Sequence, residues 1–172
     1  MIILLKLFFN ICRFRAAPQD IPASIFLKIV TVITYGLTSM AISLLEMPVG
    51  NALLSALVDT LMLIGLAQAS LWIRNYPERK TQTICALAGT GTLLQLMAWP
   101  ILIWLSQNDA TLSTIASPPR WILLFLVIWN LAIIAHILRH ALSLTFPIAA
   151  GISLLYVYLS IRVASILFIA AS

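Results

Sequence analysis

The sequence predicts an all-α membrane protein: a polytopic bundle of five transmembrane helices, preceded by an amphipathic helix at the membrane interface. Three observations carry this. Of 172 residues, 62% are hydrophobic and only 9% are charged, with a mean hydropathy of +1.08. Soluble domains run at about 45–50% apolar and about 25% charged residues. The apolar residues fall into five runs, each near the ~20 residues that a helix needs to cross a bilayer. The breaks between the runs carry most of the prolines and much of the charge, as in RAAPQDIPAS at 15–24 and RNYPERK at 74–80. Five spans leave no room for a soluble domain, so the chain reads as one integral membrane domain, 1–172. Any activity must sit in the membrane, in the short loops or on the first 22 residues.

The first element is expected over 1–16. Lys6, Asn10 and Arg13 stand at i, i+4 and i+7 in a segment that is otherwise almost wholly apolar. That is the pattern of a helix lying in the interface with its cations towards anionic headgroups. A signal peptide fits less well, because no cation precedes the apolar run and Lys6 interrupts it. The loop that follows holds Arg15, Pro18, Asp20 and Pro22. Its prolines end one helix and open the next. Asp20 is expected to cap the first span, and the loop is a candidate docking segment.

The spans are expected at 23–45, 51–73, 81–106, 120–142 and 146–170. Lys28, in the first, can snorkel to the headgroups. The second carries Asn51, Ser55 and Asp59 on one stripe. The third holds Gly89, Thr90 and Gly91, then Gln95 and Pro100. No Lys-Ser or Lys-Thr follows those glycines, so they make no phosphate loop and instead let another helix approach closely. Pro100 should kink this span and free the carbonyl of Leu96. The fourth, RWILLFLVIWNLAIIAHILRHAL, carries Asn130, His136, Arg139 and His140. Hydrocarbon solvates such groups poorly, so this span is expected at the centre, with the other four around it. The fifth pairs Ala149 with Ser153 for helix contact and carries Arg162 well inside.

Seven cations, Lys6, Arg13, Arg15, Arg74, Arg79, Lys80 and Arg139, fall on one side of this arrangement, and only Arg120 at the other. The N-terminus is therefore expected in the cytoplasm and the C-terminus outside. Cys12 and Cys85 lie towards the cytoplasmic side, where a disulfide is not expected, and their spacing suits no metal.

Counting residues from the outer helix ends puts Asp59, Gln95, Asn130 and Arg162 all ~12–17 Å deep. This polar layer is expected to centre on an Asp59–Arg162 ion pair, with the two amides taking the remaining bonds. Lys28, His136, Arg139 and His140 form a second group nearer the cytoplasm. Such groups serve either as structural glue or as an ion or proton relay through Asp59, Arg162 and His136. There is no zinc motif and no nucleophile–base spacing, so neither an enzyme nor a cofactor is expected. No basic run with interleaved aromatics points to nucleic acid.

KTQTICALAGTGTLLQLMAWPILI, with a small-residue cluster before a proline, resembles the third span of the Yip-domain family. WNLAIIAHILRHAL resembles its fourth, where a tryptophan precedes a polar helix end. The resemblance covers about 20–170 and implies five spans, a cytoplasmic N-terminus and almost no loops. The family's eukaryotic members interact with Rab GTPases and carry a long cytosolic N-terminal region. Here almost nothing precedes the first span, so GTPase binding does not carry over. A bacterial inner-membrane protein is expected. The first functional reading is an organising role through contacts with lipids, other membrane proteins or itself. The alternative is a small transporter or ion-conducting protein. A closed, dry ion pair at Asp59 favours the first, and a solvated cavity reaching Asp59 favours the second.

Overall fold

The computed structural model describes residues 2–107 and 118–169. The loop 108–117, with Asp109 and Ser117, lies outside the described residues, as do 1 and 170–172. The helices are α1 (Ile2–Cys12), α2 (Ile25–Ser43), α3 (Val49–Ile73), α4 (Lys80–Gln107), α5 (Pro118–Leu142) and α6 (Phe146–Ile169). No strand occurs among the described residues. Five of these helices are long and apolar enough to cross a membrane. The protein is an integral membrane helix bundle.

The spans alternate in direction because the described connections are too short for anything but hairpins. The end of the bundle that holds Lys28, Arg74, Arg79, Lys80 and Arg139 is called the basic end below, and the opposite one the far end. At the basic end α1, α3 and α5 stop in the same way. Phe14, Asn75 and Ser143 take left-handed backbone, with φ of 61°, 56° and 52°. The next amide then reaches back: Arg15 to the carbonyl of Asn10 at 2.9 Å, Tyr76 to Leu71 and Leu144 to Arg139, both at 3.0 Å. These are Schellman caps built without glycine, and they satisfy carbonyls that the helix end leaves free.

The centre is α4, not the fourth span. It packs against α1, α2, α3 and α5. The stretch Thr83–Thr90 is buried throughout, because Cys85, Ala86, Ala88 and Gly89 let neighbours close in from several sides. The polar groups of α5 lie mostly in its last turns, and its first half, from Trp121 to Ile128, is largely exposed. α4 continues through Pro100 to Gln107. Gly89 and Gly91 take aromatic rings of two helices that approach α4, namely α1 and α2. A Cβ on Gly89 would lie 2.5 Å from the Phe8 ring, and one on Gly91 would lie 2.6 Å from the Tyr35 ring.

α1 is amphipathic as expected, with Lys6, Asn10 and Arg13 exposed. Its apolar face packs on protein: Phe8, Ile11 and Cys12 are buried. Phe8 reaches the level of Gly89, nine residues or ~13 Å along α4 from Lys80. Asp20 does not cap the first span. A 3₁₀ turn over Pro18–Asp20 folds its carboxylate back onto the Ala17 amide at 2.8 Å. Ser24 stands directly before Ile25 and accepts from the Leu27 amide instead, at 3.4 Å. Ala149 and Ser153 are buried on α6, which packs chiefly on α5.

Candidate functional site

The five spans line a half-open cavity of about 280 Å³. Each contributes a polar side chain: Tyr35 from α2, Asp59 from α3, Gln95 from α4, Asn130 from α5, and Tyr156 with Ser160 from α6. The remaining wall is apolar, with Leu63, Leu94, Leu126 and Val157 among its residues. The lining starts at Ile42, next to the far end of α2, and reaches inwards to Leu87 and Ile134.

Helical spacing aims these groups. Residues four apart share a face. Tyr35 and Ser39 are such a pair on α2, and Tyr156 and Ser160 are another on α6. Asp59 follows the same buried stripe of α3 as Ala52, Ala56 and Leu63. Its Oδ2 accepts the Tyr35 hydroxyl at 2.7 Å and the Ser39 hydroxyl at 3.1 Å. The Thr38 hydroxyl donates to Gln95 Oε1. Gly91 makes room for the Tyr35 ring, so the position of the Asp59 partner depends on a missing side chain on another helix. Asp59 Oδ1, Gln95 Nε2, the Asn130 amide and the Tyr156 and Ser160 hydroxyls make no hydrogen bond among the described residues.

Three members of the expected layer, Asp59, Gln95 and Asn130, therefore meet in one place. Arg162 does not join them. It is exposed on α6 and makes no ion pair among the described residues, so the Asp59–Arg162 pair is absent. The reason is azimuth. At about 100° per residue, Arg162 lies about 200° around the helix from Ser160, which lines the cavity. Two hydroxyls take the place of its guanidinium at the carboxylate. The relay through Asp59, Arg162 and His136 is not assembled either, since His136 is not among the cavity residues.

His136 belongs to a second constellation at the basic end, built around the N-terminal loop. Its Nε2 meets the carbonyl of Ala16 at 3.1 Å, and a carbonyl only accepts, so Nε2 carries the proton. Its ring stands edge-on to Phe14 at 5.3 Å and to His140 at 4.6 Å. Gln19 donates to the carbonyl of His140 at 2.9 Å, and Gln82 donates to that of Ile21 at 2.7 Å. Trp129 donates to the carbonyl of Cys12 at 3.0 Å, and Arg79 to that of Ala141 at 3.1 Å. The loop docks onto its own bundle. Pro18 is buried in that contact, while Arg15, Asp20 and Pro22 are exposed. Of the expected group of Lys28, His136, Arg139 and His140, the two histidines meet. Arg139 is exposed, and Lys28 sits half-buried on α2.

Sequence reasoning missed Tyr35, Ser39, Tyr156 and Ser160, although their spacing of four was the signal. It also missed Gln19, Gln82 and Arg79, whose partners are backbone carbonyls and leave no mark in sequence. Among the described residues no group of three or more His, Cys, Asp or Glu is placed to hold a metal ion.

Comparison with protein-family profiles, with curated proteins and with solved structures finds no match to this chain. The functional reading therefore rests on the cavity and the docked loop.

Proposed function

We propose that this protein is a small transporter whose solute site is the cavity around Asp59. One observation carries the reading: an intramembrane carboxylate faces a cavity in which the Asn130, Tyr156 and Ser160 side chains make no hydrogen bond among the described residues. Ionisable groups inside a membrane are costly and tend to mark substrate or ion pathways. One carboxylate with polar side chains converging on it from all five spans is better explained by a bound solute than by helix glue. An organising role would be favoured by a dry, closed ion pair at this depth.

The orientation proposed with it puts the basic end in the cytoplasm, following the positive-inside rule, in a bacterial inner membrane. The cavity then runs from Ile42 and Leu123, near the outer helix ends, inwards past mid-depth to Leu66 and Leu87. The exposed face of α1, with Lys6 and Arg13 beside Phe9, suits contact with anionic lipid. The Yip-like relationship is proposed on the five-span architecture and the two motifs alone.

Accessibility tests the reading. Asn130→Cys and Ser160→Cys should react with a small, membrane-impermeant thiosulfonate added from the outer side. Leu154→Cys, exposed on the outside of α6, should not. No reaction at either cavity position would mean a sealed interior and would sink the proposal.

A further inference from the structure

We infer that the solute is a monovalent organic cation, an amine or ammonium compound with an apolar body. This rests on the cavity being a solute site. The sign of the charge comes from the lining. Among the described residues Asp59 is its only carboxylate, and no described Lys, Arg or His lines it. Arg162, the one cation at similar depth, is turned away and unpaired among the described residues. An uncompensated charge is costly at this depth, and a cationic ligand supplies the missing partner. An anion would meet the same carboxylate with nothing to offset the repulsion.

The valence comes from the donor count. A divalent ion such as calcium takes six to eight oxygens, commonly from several carboxylates. Here one carboxylate is present, and Oδ2 already accepts two hydroxyls, which leaves Oδ1 for one cationic head. The Asn130 carbonyl and the Tyr156 and Ser160 oxygens are available to accept the N–H groups of an ammonium. The size and the wall give the rest. About 280 Å³ is far more than a bare monovalent ion fills, and the wall beyond the polar groups is mostly Leu, Ile and Val. The rings of Tyr35 and Tyr156 add the attraction of aromatic faces for a cation.

Three compounds that share a skeleton and differ in charge test this: 2-phenylethylammonium, 2-phenylethanol and phenylacetate. Binding is measured by calorimetry on the full chain in mild detergent. The ammonium compound should bind at least tenfold more tightly than the alcohol, and phenylacetate should not bind. Asp59→Asn, which keeps an oxygen for Tyr35 and Ser39, should remove that tenfold preference and leave the alcohol unchanged. If Asp59→Asn does not fold, the ratio of ammonium to alcohol on the unaltered protein decides alone. An alcohol that binds as tightly as the ammonium, a phenylacetate that binds more tightly, or no binding by any of the three overturns the inference. The cavity reading fails on a different result, unreactive cysteines at 130 and 160, so the two failures are distinguishable.

Discussion

Gly91→Ala should destabilise the protein although alanine is the better helix former. The added Cβ would lie 2.6 Å from Cε2 of Tyr35 and 3.0 Å from Cδ2. Carbon atoms in contact settle at about 3.5–4.0 Å, so the ring must retreat by about 1 Å. The hydroxyl moves with it. Its bond to Asp59 is 2.7 Å, and a further ~1 Å takes it out of hydrogen-bonding range. Overpacking costs about 1–3 kcal/mol. The hydrogen bond adds about 1 kcal/mol, in line with polar contacts inside membrane bundles. Replacing a helical glycine returns about 1 kcal/mol. The net loss should be about 1–3 kcal/mol. Unfolding in mild detergent, followed by intrinsic fluorescence, measures it. The decisive comparison is the background. With Tyr35→Phe the ring remains, so Gly91→Ala should still be unfavourable, by about 1 kcal/mol less. With Tyr35→Ala the obstacle is gone, and the sign should invert to a gain of up to about 1 kcal/mol. An equal loss in the Tyr35→Ala background would refute the reasoning.

Two further outcomes are expected. Burial pushes the Cys12 thiol from an ordinary 9.0 up to about 11, so stability from this group is present below pH 9 and is lost as pH rises towards 11. At pH 8 a maleimide should label Cys12 only slowly. Gly89→Ala, whose Cβ would strike Phe8, should loosen α1 and speed that labelling about tenfold, as read by peptide mass spectrometry; unchanged labelling would remove Phe8 as the anchor. Reporter fusions after Arg79 should report cytoplasm, and fusions at Asp109 or Ser172 the other side. An active cytoplasmic reporter at Ser172 would overturn the proposed orientation.

The five spans were legible because hydropathy and length are one-dimensional properties, and a sequence is one-dimensional. Depth was legible for the same reason: counting from the helix ends brought Asp59, Gln95 and Asn130 to one level, and they share a cavity. Azimuth was harder. Arg162 has the right depth and the wrong face, and only its angle to Tyr156 and Ser160 would have revealed it. The central helix was misjudged because polarity marks a span that needs cover, whereas small residues mark one that others can surround. The fourth span finds its cover in the N-terminal loop, and α4 finds its neighbours through Cys85, Ala86, Ala88 and Gly89. The function of the two glycines was half legible. Spacing said that something approaches closely, but not that the guests are Phe8 and Tyr35.

The docked loop has a consequence for how the chain is made. Cys12, Ala16 and Gln19 find their partners at Trp129, His136 and His140, between 117 and 121 residues further on. At a synthesis rate of about 5–20 residues per second, those partners emerge about 6–24 seconds later. Until then the N-terminal segment has its contacts with α4, Phe8 at Gly89 and the Gln82 amide on the Ile21 carbonyl among them, and its own affinity for the membrane surface. Docking of the N-terminal segment is thus a late step of assembly that reports on arrival of the fourth span. A ribosome stalled after α4 would leave that segment half docked, with the carbonyls of Cys12 and Ala16 open to whatever quality-control machinery surveys unfinished membrane proteins.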